Sequence, residues 1–299
     1  MNPYRGRFAP SPTGPLHFGS LVAAVGSYLE ARVHRGAWLV RIEDLDAPRT
    51  VAGADAAILR ALEACGMQWD GSIVYQSARR DAYHAALHRL RRQGLVYACA
   101  CSRREIADSG IVGSEGFVYP GTCRHELPVG KPARALRLTT HAAAIEFDDA
   151  LQGRIAQNVA AEIGDFVLYR HDRVYAYQLA VVVDDAAQGI TDVVRGADLL
   201  DSTPRQIHLQ RLLGLATPRY AHLPVAVNAA GEKLSKQTLA PPLDASRPAP
   251  LLVAALAFLG QQPPATLAAA SVREIWQWAL ENWRIGRVPR ARQLAAAIK

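Results

Sequence analysis

The stretch that decides the fold runs from Arg7 to Ser20 and reads Arg-Phe-Ala-Pro-Ser-Pro-Thr-Gly-Pro-Leu-His-Phe-Gly-Ser. It begins as a short strand, turns through three prolines and Gly14, and becomes helical from His17 onward. Free backbone N–H groups at the start of a helix, together with the helix dipole, form an anion site. His17 adds a side-chain donor there, and Gly19 lets a ligand approach the backbone closely. The pattern predicts a site for a nucleotide phosphate, although a proline-rich turn before a core helix would give the same pattern.

A second candidate phosphate site lies far downstream, at Lys233-Leu-Ser-Lys236. It follows a strand-like run over residues 223–227 and lies beside Gly231. Two lysines on either side of Ser235 could neutralise phosphate charge. Short Lys/Ser loops are commonly just solvated, so the significance of this motif depends on its pairing with the first.

Composition bounds the class of protein. Half of the 299 residues are hydrophobic, which is enough for a large core and two or three substructures. The net charge is +7, and only four of the 34 basic residues are lysines. Arginine suits phosphate contacts, so the charge supports a nucleic-acid partner, with nucleotide bias in the genome as the alternative account. The N-terminus carries no signal-peptide pattern and no apolar run reaches about 18 residues, so we expect a cytoplasmic protein without a membrane partner.

A candidate substrate-binding carboxylate follows the second predicted strand. The strand covers residues 38–42 and ends in Glu43-Asp44-Leu45-Asp46. Ligands of open α/β sheets bind beyond the carboxyl ends of strands, which places Glu43 beside the His17 loop. Glu43 could bind a substrate ammonium through a charge-assisted hydrogen bond. Asp44 and Asp46 are expected mainly to cap the helix that follows.

The rest of the chain alternates helical and strand patterns. Helices around 58–65 and 79–92, with a short strand between them, predict a parallel sheet with crossover helices. Residues 175–185 are compatible with either a strand or a helix, and we favour a helix. A strand over 190–194 places Arg195 at a carboxyl edge, and Thr203 is predicted to cap the helix that ends near Gly214.

Three of the four cysteines, Cys99, Cys101 and Cys123, are close in sequence. Cysteines two apart, followed by a third at a Pro-Gly turn, are typical of a structural zinc knuckle in a reducing compartment. Three buried thiols are the alternative. His125 is the usual chemical choice for a fourth ligand, and the segment over 102–118 is predicted to be a loop.

The two phosphate motifs resemble the paired signatures of class I aminoacyl-tRNA synthetases, both in their order, with the His17 motif first, and in the approximate distance between them in the sequence. Ser20 in the first signature, the run before it and the run Arg41-Ile-Glu-Asp44 resemble the glutamyl branch of that class. Gln237 stands where the second signature usually has serine. The resemblance extends from Arg7 to about Lys236, and it implies a Rossmann-like parallel sheet with a zinc-containing insertion and a small, mainly helical C-terminal part.

Two features resemble the glutamyl-Q synthetase family, a group of shortened glutamyl-tRNA synthetase-like enzymes. Residues 237–299 are too few for a separate anticodon-binding domain of typical size. The spacing Cys-x-Cys…Tyr-x-x-x-Cys also matches, and it implies Tyr119 as the fourth zinc ligand. The resemblance implies ATP-dependent, tRNA-independent activation of L-glutamate and its transfer to queuosine at the wobble position of tRNA(Asp). A truncated synthetase that charges the acceptor end, a small-molecule nucleotidylyltransferase and a non-catalytic tRNA-binding relative are the alternatives.

Site residues follow from these motifs and from the resemblance. Catalysis is assigned to His17 and Lys236, and ATP binding to His17, Gly19, Lys233, Ser235 and Lys236. The glutamate pocket is expected to contain Arg7, Phe8, Ala9, Pro10, Ser11, Glu43, Tyr177 and Arg195. One structural Zn²⁺ per chain is expected on Cys99, Cys101, Tyr119 and Cys123, with Mg²⁺ entering with ATP. Two arginines favour glutamate over glutamine, because an amide cannot satisfy both guanidinium groups equally well.

We expect a monomer with four segments. Residues 1–94 form the first half of the nucleotide-binding domain, and residues 95–175 form the insertion with the zinc knuckle. Residues 176–215 form the second half. Residues 216–299 contain the KLSKQ loop and the helical C-terminal part.

Overall fold

The computed structural model describes residues 3–113, 116–140, 144–228, 230–234 and 243–296. The strands in these ranges are β1 Arg5–Phe8, β2 Ala37–Ile42, β3 Val74–Tyr75, β4 Val96–Cys99, β5 Val112–Gly113, β6 Gly116–Phe117, β7 Ala135–Leu138, β8 Ala144–Asp149, β9 Gly153–Asn158, β10 Val167–Arg170, β11 Asp192–Gly196, β12 Arg219–Leu223, β13 Val225–Val227 and β14 Gln293–Ala295. The helices are α1 Phe18–Val33, α2 Ala54–Ala64, α3 Arg80–Arg92, α4 Arg103–Ala107, α5 Val159–Glu162, α6 Tyr177–Ala187, α7 Thr203–Leu212, α8 Pro248–Phe258 and α9 Val272–Asn282. No helix in these ranges is long and apolar enough to cross a bilayer.

Parallel strands form the centre of the molecule. β1 pairs with β2 and β2 with β3, while β11 pairs with β12, each in parallel. The backbone N–H of Thr191 donates to the carbonyl of Arg5 at 3.0 Å, which joins β1 to the start of β11. The carboxyl ends of these strands therefore meet at one edge of the sheet, as the alternating pattern predicted.

The segment predicted as an insertion is built from antiparallel strands. β7 lies between β4 and β10, and β8 forms a hairpin with β9. Tyr220 of β12 pairs in parallel with Asp149 of β8, so this hairpin extends the central sheet. The segment 102–118 is not simply a loop: its described residues contain α4 and the short strands β5 and β6, which pair antiparallel. A capping box of Ser102 and Glu105 begins α4. Its Ser-x-x-Glu pattern is visible in the sequence and would have predicted the start of this helix.

α1 lies at the centre of the larger hydrophobic core of the described residues. Leu21, Val25 and Leu29 are fully buried on it, as expected from their helical spacing. The C-terminal helices cover the same helix: Phe18 makes an edge-on contact with Phe258 of α8 at 5.8 Å between ring centroids. The helical C-terminal part is thus packed directly on the helix that begins at the predicted phosphate site.

Two local predictions about caps are wrong. Thr203 is the first residue of α7 and makes no capping bond; the residue before the helix is Ser202, and Thr203 instead contacts Arg195. Asp44 does not cap the helix that directly follows it either: its carboxylate accepts from the backbone and hydroxyl of Ser77, in the more distant 3₁₀ turn Gln76–Arg79. Asp46 binds the side chain of an arginine in the short 3₁₀ turn that follows, not a backbone N–H. The preferred helix over 175–185 is confirmed by α6.

Candidate active site

A cavity of about 530 Å³ opens at the carboxyl edge of the central sheet. Every predicted catalytic, ATP-binding or glutamate-binding residue in the described ranges lines it: Arg7, Phe8, Ala9, Pro10, Ser11, His17, Gly19, Glu43, Tyr177, Arg195 and Lys233. Ser235 and Lys236 lie outside the described residues. Side chains separated by up to 226 positions in sequence, from Arg7 to Lys233, therefore line the same cavity.

The first motif forms one end of this cavity. His17 is the cap residue of α1, and its Nδ1 accepts from the backbone N–H of Ser20 at 3.4 Å. The backbone N–H of Glu43 donates to the carbonyl of Pro10 at 2.9 Å, which fixes the loop against the end of β2. A Cβ on Gly19 would lie 3.5 Å from the carbonyl oxygen of Leu234, so the second motif begins directly beside the start of α1.

A buried network of charges forms the floor of the cavity. Asp185 accepts from Nε of Arg7 at 3.3 Å and from Nη1 of Arg41 at 2.8 Å. Nη2 of Arg41 donates to Oε1 of Glu43 at 3.3 Å. Burial raises the pKa of Asp185, but Arg7 and Arg41 outweigh it, so this pKa stands below its usual value. For Glu43 burial outweighs the same two arginines, and its pKa is raised.

Arg195 occupies the opposite wall. Its Nε donates to Nε2 of His222 at 3.0 Å, and its Nη2 donates to Oγ1 of Thr203 at 2.8 Å. Nη1 lies 3.5 Å from the hydroxyl of Tyr177, on the side of the cavity. His222 in turn lies with Nδ1 2.6 Å from Oδ2 of Asp149. Burial lowers the pKa of His222 to about 4, with Asp149 opposing this shift and Arg195 adding to it, so the imidazole is neutral at pH 7.

The first lysine of the second motif, Lys233, forms an ion pair with Asp198 in this structure. Nζ of Lys233 lies 2.6 Å from Oδ2 of Asp198, and both side chains are partly exposed at the rim of the cavity. Exposed pairs of this kind contribute little to stability and exchange partners easily. A phosphate that enters the cavity can therefore compete with Asp198 for this ammonium group.

The three clustered cysteines meet away from the cavity. The sulfur atoms of Cys99, Cys101 and Cys123 all lie within 4.8 Å of one another, with 3.6 Å between those of Cys101 and Cys123. The hydroxyl of Tyr119 lies 3.4 Å from the Cys99 sulfur and 3.9 Å from the Cys101 sulfur. Zn–S bonds of about 2.3 Å give tetrahedral S···S separations of roughly 3.8 Å, so three sulfur atoms this close together could hold a metal ion such as zinc. His125 is exposed and is not part of this group.

Sequence reasoning missed the residues that orient the predicted ones. Asp184 and Asp185 directly follow a run of three valines, and acidic residues next to such an apolar run are a signal of a buried polar network. Asp184 is fully buried and accepts from Tyr83 at 2.8 Å. Asp149 and His222 lacked any comparable signal, because the pairing of β8 with β12 brings them together.

The fold and the site define the class of this protein. Residues 4–247 match the family model described as tRNA synthetases class I (E and Q), catalytic domain. The fold is similar to that of a glutamate tRNA ligase from Elizabethkingia meningosepticum CCUG26117, with a TM-score of 0.79, 24% identity, and coverage of 99% of this chain and 67% of that one. A glutamate-tRNA synthetase from Elizabethkingia anophelis is similar at a TM-score of 0.78 and 24% identity, over 98% of this chain and 68% of that one.

Curated relatives narrow the class to one family. The chain is 60% identical to the glutamyl-Q tRNA(Asp) synthetase of Aromatoleum aromaticum, over 98% of this chain and 93% of that protein. It is 61% identical to the protein of the same name from Dechloromonas aromatica, over 97% of both chains. The chain therefore belongs to the glutamyl-Q tRNA(Asp) synthetase family within the class I tRNA synthetases.

Proposed function

We propose that the protein activates L-glutamate with ATP, without tRNA, and then transfers the glutamate to queuosine at the wobble position of tRNA(Asp). One observation supports this proposal above the others: the buried guanidinium groups of Arg7 and Arg195, the largely buried carboxylate of Glu43 and the start of α1 all line one cavity. Relatives with 60% and 61% identity carry the name of this activity, and the match covers nearly the whole chain.

The first step requires positioning and charge stabilisation more than covalent help. The α-carboxylate of glutamate attacks the α-phosphorus of ATP, and pyrophosphate leaves with the electrons of the broken P–O bond. His17 and the N-terminal N–H groups of α1 would bind phosphate oxygens, and Lys233 would contribute charge at the rim. Lys236 and Ser235, outside the described residues, are proposed to bind the departing pyrophosphate. Mg²⁺ would enter with ATP as part of the substrate.

The cavity can match all three charged groups of glutamate. Arg7 and Arg195 would bind the two carboxylates, and Glu43 would bind the ammonium. Tyr177 and Ser11 would add neutral hydrogen bonds, while Phe8, Ala9, Pro10 and Gly19 shape the wall. Glutamine would leave one guanidinium group without an anionic partner, so discrimination against it follows from the charges.

The second step uses the chemistry of queuosine. One hydroxyl of its cyclopentene diol attacks the carbonyl of the adenylate, an ester bond forms, and AMP leaves with the proton lost to solvent or phosphate. Basic groups around the cavity would bind phosphates of the anticodon loop, so RNA binding should weaken as salt rises. Both ATP and tRNA are cytoplasmic, so we propose that compartment for the monomeric enzyme.

The cysteine group is proposed to hold one structural Zn²⁺, with Cys99, Cys101, Cys123 and Tyr119 as ligands. When bound, the ion would supply a closed tetrahedral cross-link and no chemistry at the cavity. The ring of Tyr119 lies under the guanidinium of Arg137 at 4.0 Å, which orients its hydroxyl toward the sulfurs. We propose residues 95–175 as the insertion that this ion stabilises, between halves at 1–94 and 176–215 and before the C-terminal part at 216–299.

Three forms of tRNA(Asp) test the proposal. Native tRNA with queuosine should accept glutamate, the same tRNA without its terminal adenosine should accept it equally well, and an unmodified transcript should accept none. Pyrophosphate exchange with glutamate should proceed without any RNA. If removal of the terminal adenosine abolishes charging, the protein charges the acceptor end instead and the proposal is wrong.

A further inference from the structure

The guanidinium group of Arg195 is held on two of its three nitrogen atoms by the protein itself. Nε donates to His222 at 3.0 Å, and Nη2 donates to the hydroxyl of Thr203 at 2.8 Å and to the carbonyl of Leu199 at 3.3 Å. Nη1 has a long contact of 3.5 Å with the hydroxyl of Tyr177, and both of these residues line the cavity. The group that would meet a substrate carboxylate therefore has a single available orientation.

His222 can play this part in only one protonation form. Nε of Arg195 is always a donor, so Nε2 of His222 must accept and cannot carry a proton. The proton then lies on Nδ1 and donates to Oδ2 of Asp149 at 2.6 Å. Asp149 is fixed in turn by the backbone N–H groups of Leu151 and Gln152 at 3.0 and 2.9 Å. The side chains of His222 and Asp149 are both fully buried, so water does not compete for these bonds.

We propose that His222, oriented by Asp149, is a positioning residue that fixes the guanidinium of Arg195 for a substrate carboxylate. This inference rests on the proposed function, in which Arg195 binds one carboxylate of glutamate. An arginine side chain that is free to rotate loses conformational entropy when a ligand immobilises it. Prior fixation by His222 removes that loss and places Nη1 where the substrate carboxylate arrives.

Two substitutions of the same residue separate positioning from simple packing. The amide of asparagine lies near the place of Nδ1, so His222→Asn keeps a donor for Asp149 and removes the acceptor for Arg195. The longer glutamine places its amide near Nε2, so His222→Gln keeps an acceptor for Arg195. Glutamate-dependent pyrophosphate exchange should show a roughly 10- to 100-fold higher KM for glutamate in His222→Asn, from loss of a hydrogen bond to a charged group. His222→Gln should recover most of this affinity.

The controls distinguish the possible failures. The KM for ATP and the melting temperature should change little in His222→Asn, and His208→Asn, which alters another buried histidine outside the cavity, should leave the KM for glutamate unchanged. In an Arg195→Ala background, His222→Asn should add less than about a twofold effect, because its partner is already absent. An undiminished effect in that background, or no effect in the wild type, overturns the positioning role. If Arg195→Ala itself leaves the KM for glutamate unchanged, the assignment of Arg195 in the proposed function is wrong.

Discussion

Glu43→Gln is the sharpest perturbation of the glutamate pocket, because it removes a charge while it keeps the shape. The side chain of Glu43 lines the cavity and is only 9% exposed, and its Oε1 accepts from Nη2 of Arg41 at 3.3 Å. The carbonyl oxygen of glutamine can still accept that bond. Burial raises the pKa of Glu43, which means that its ionised form costs stability in the folded state. We therefore expect the melting temperature of Glu43→Gln at pH 7 to be unchanged or slightly higher.

Substrate affinity should respond in the opposite direction. Loss of one partner of a buried, hydrogen-bonded charge pair costs about 2–5 kcal/mol, and each 1.4 kcal/mol is tenfold. The remaining carbonyl oxygen keeps one neutral hydrogen bond to the ammonium, which places the effect in the lower part of this range. The KM for glutamate in pyrophosphate exchange should rise roughly 30- to 300-fold, with the KM for ATP nearly constant.

The pH profile gives an independent measurement of the same group. The ammonium of the substrate needs an ionised Glu43, so kcat/KM for glutamate should fall as the pH drops through the raised pKa of this carboxyl. That acidic limb should be absent in Glu43→Gln. Asp46→Asn is the matched control, since Asp46 follows the same strand but binds Arg49 and Arg170 outside the cavity. A KM for glutamate within about threefold of wild type in Glu43→Gln would refute this reading of the pocket.

Two further predictions concern stability and metal. Asp185→Asn should destabilise the protein by about 3–5 kcal/mol in urea unfolding at pH 7, because it leaves two buried arginines without their shared carboxylate. Since the folded pKa of Asp185 is lowered, this contribution is complete above the unfolded value of about 3.9 and is lost as the pH falls through the folded value; a gap between variant and wild type that does not narrow in acid would contradict it. Elemental analysis should find about one zinc per chain and none in Cys101→Ser. Tyr119→Phe should release zinc and His125→Ala should not, whereas zinc release by the histidine change alone would disprove the ligand set.

Local signals in the sequence were enough for the elements that carry the site. Prolines and Gly14 before a helical apolar pattern could only form a strand, a turn and α1, and the residues involved are neighbours in sequence. The same local reasoning predicted Glu43 and Arg195, because each was expected directly after a strand and the carboxyl ends of parallel strands share an edge. Glu43 does follow β2, whereas the observed β11 runs to Gly196 and so includes Arg195 near its carboxyl end. The three cysteines also lie within 25 positions of one another, so their spacing was readable without a structure.

Tertiary structure alone decided what holds those side chains in place. Asp149 and His222 are 73 positions apart, and only the pairing of β8 with β12 brings them into contact. Thr203 shows most clearly what local sequence patterns cannot predict. Its position before Pro204 favours a helix cap, yet its hydroxyl accepts a hydrogen bond from Arg195 of β11. A cap depends on backbone within a few residues, whereas a buried charge takes whichever partner the completed fold places beside it. Sequence therefore specified which groups reach the cavity, and packing specified their partners and orientation.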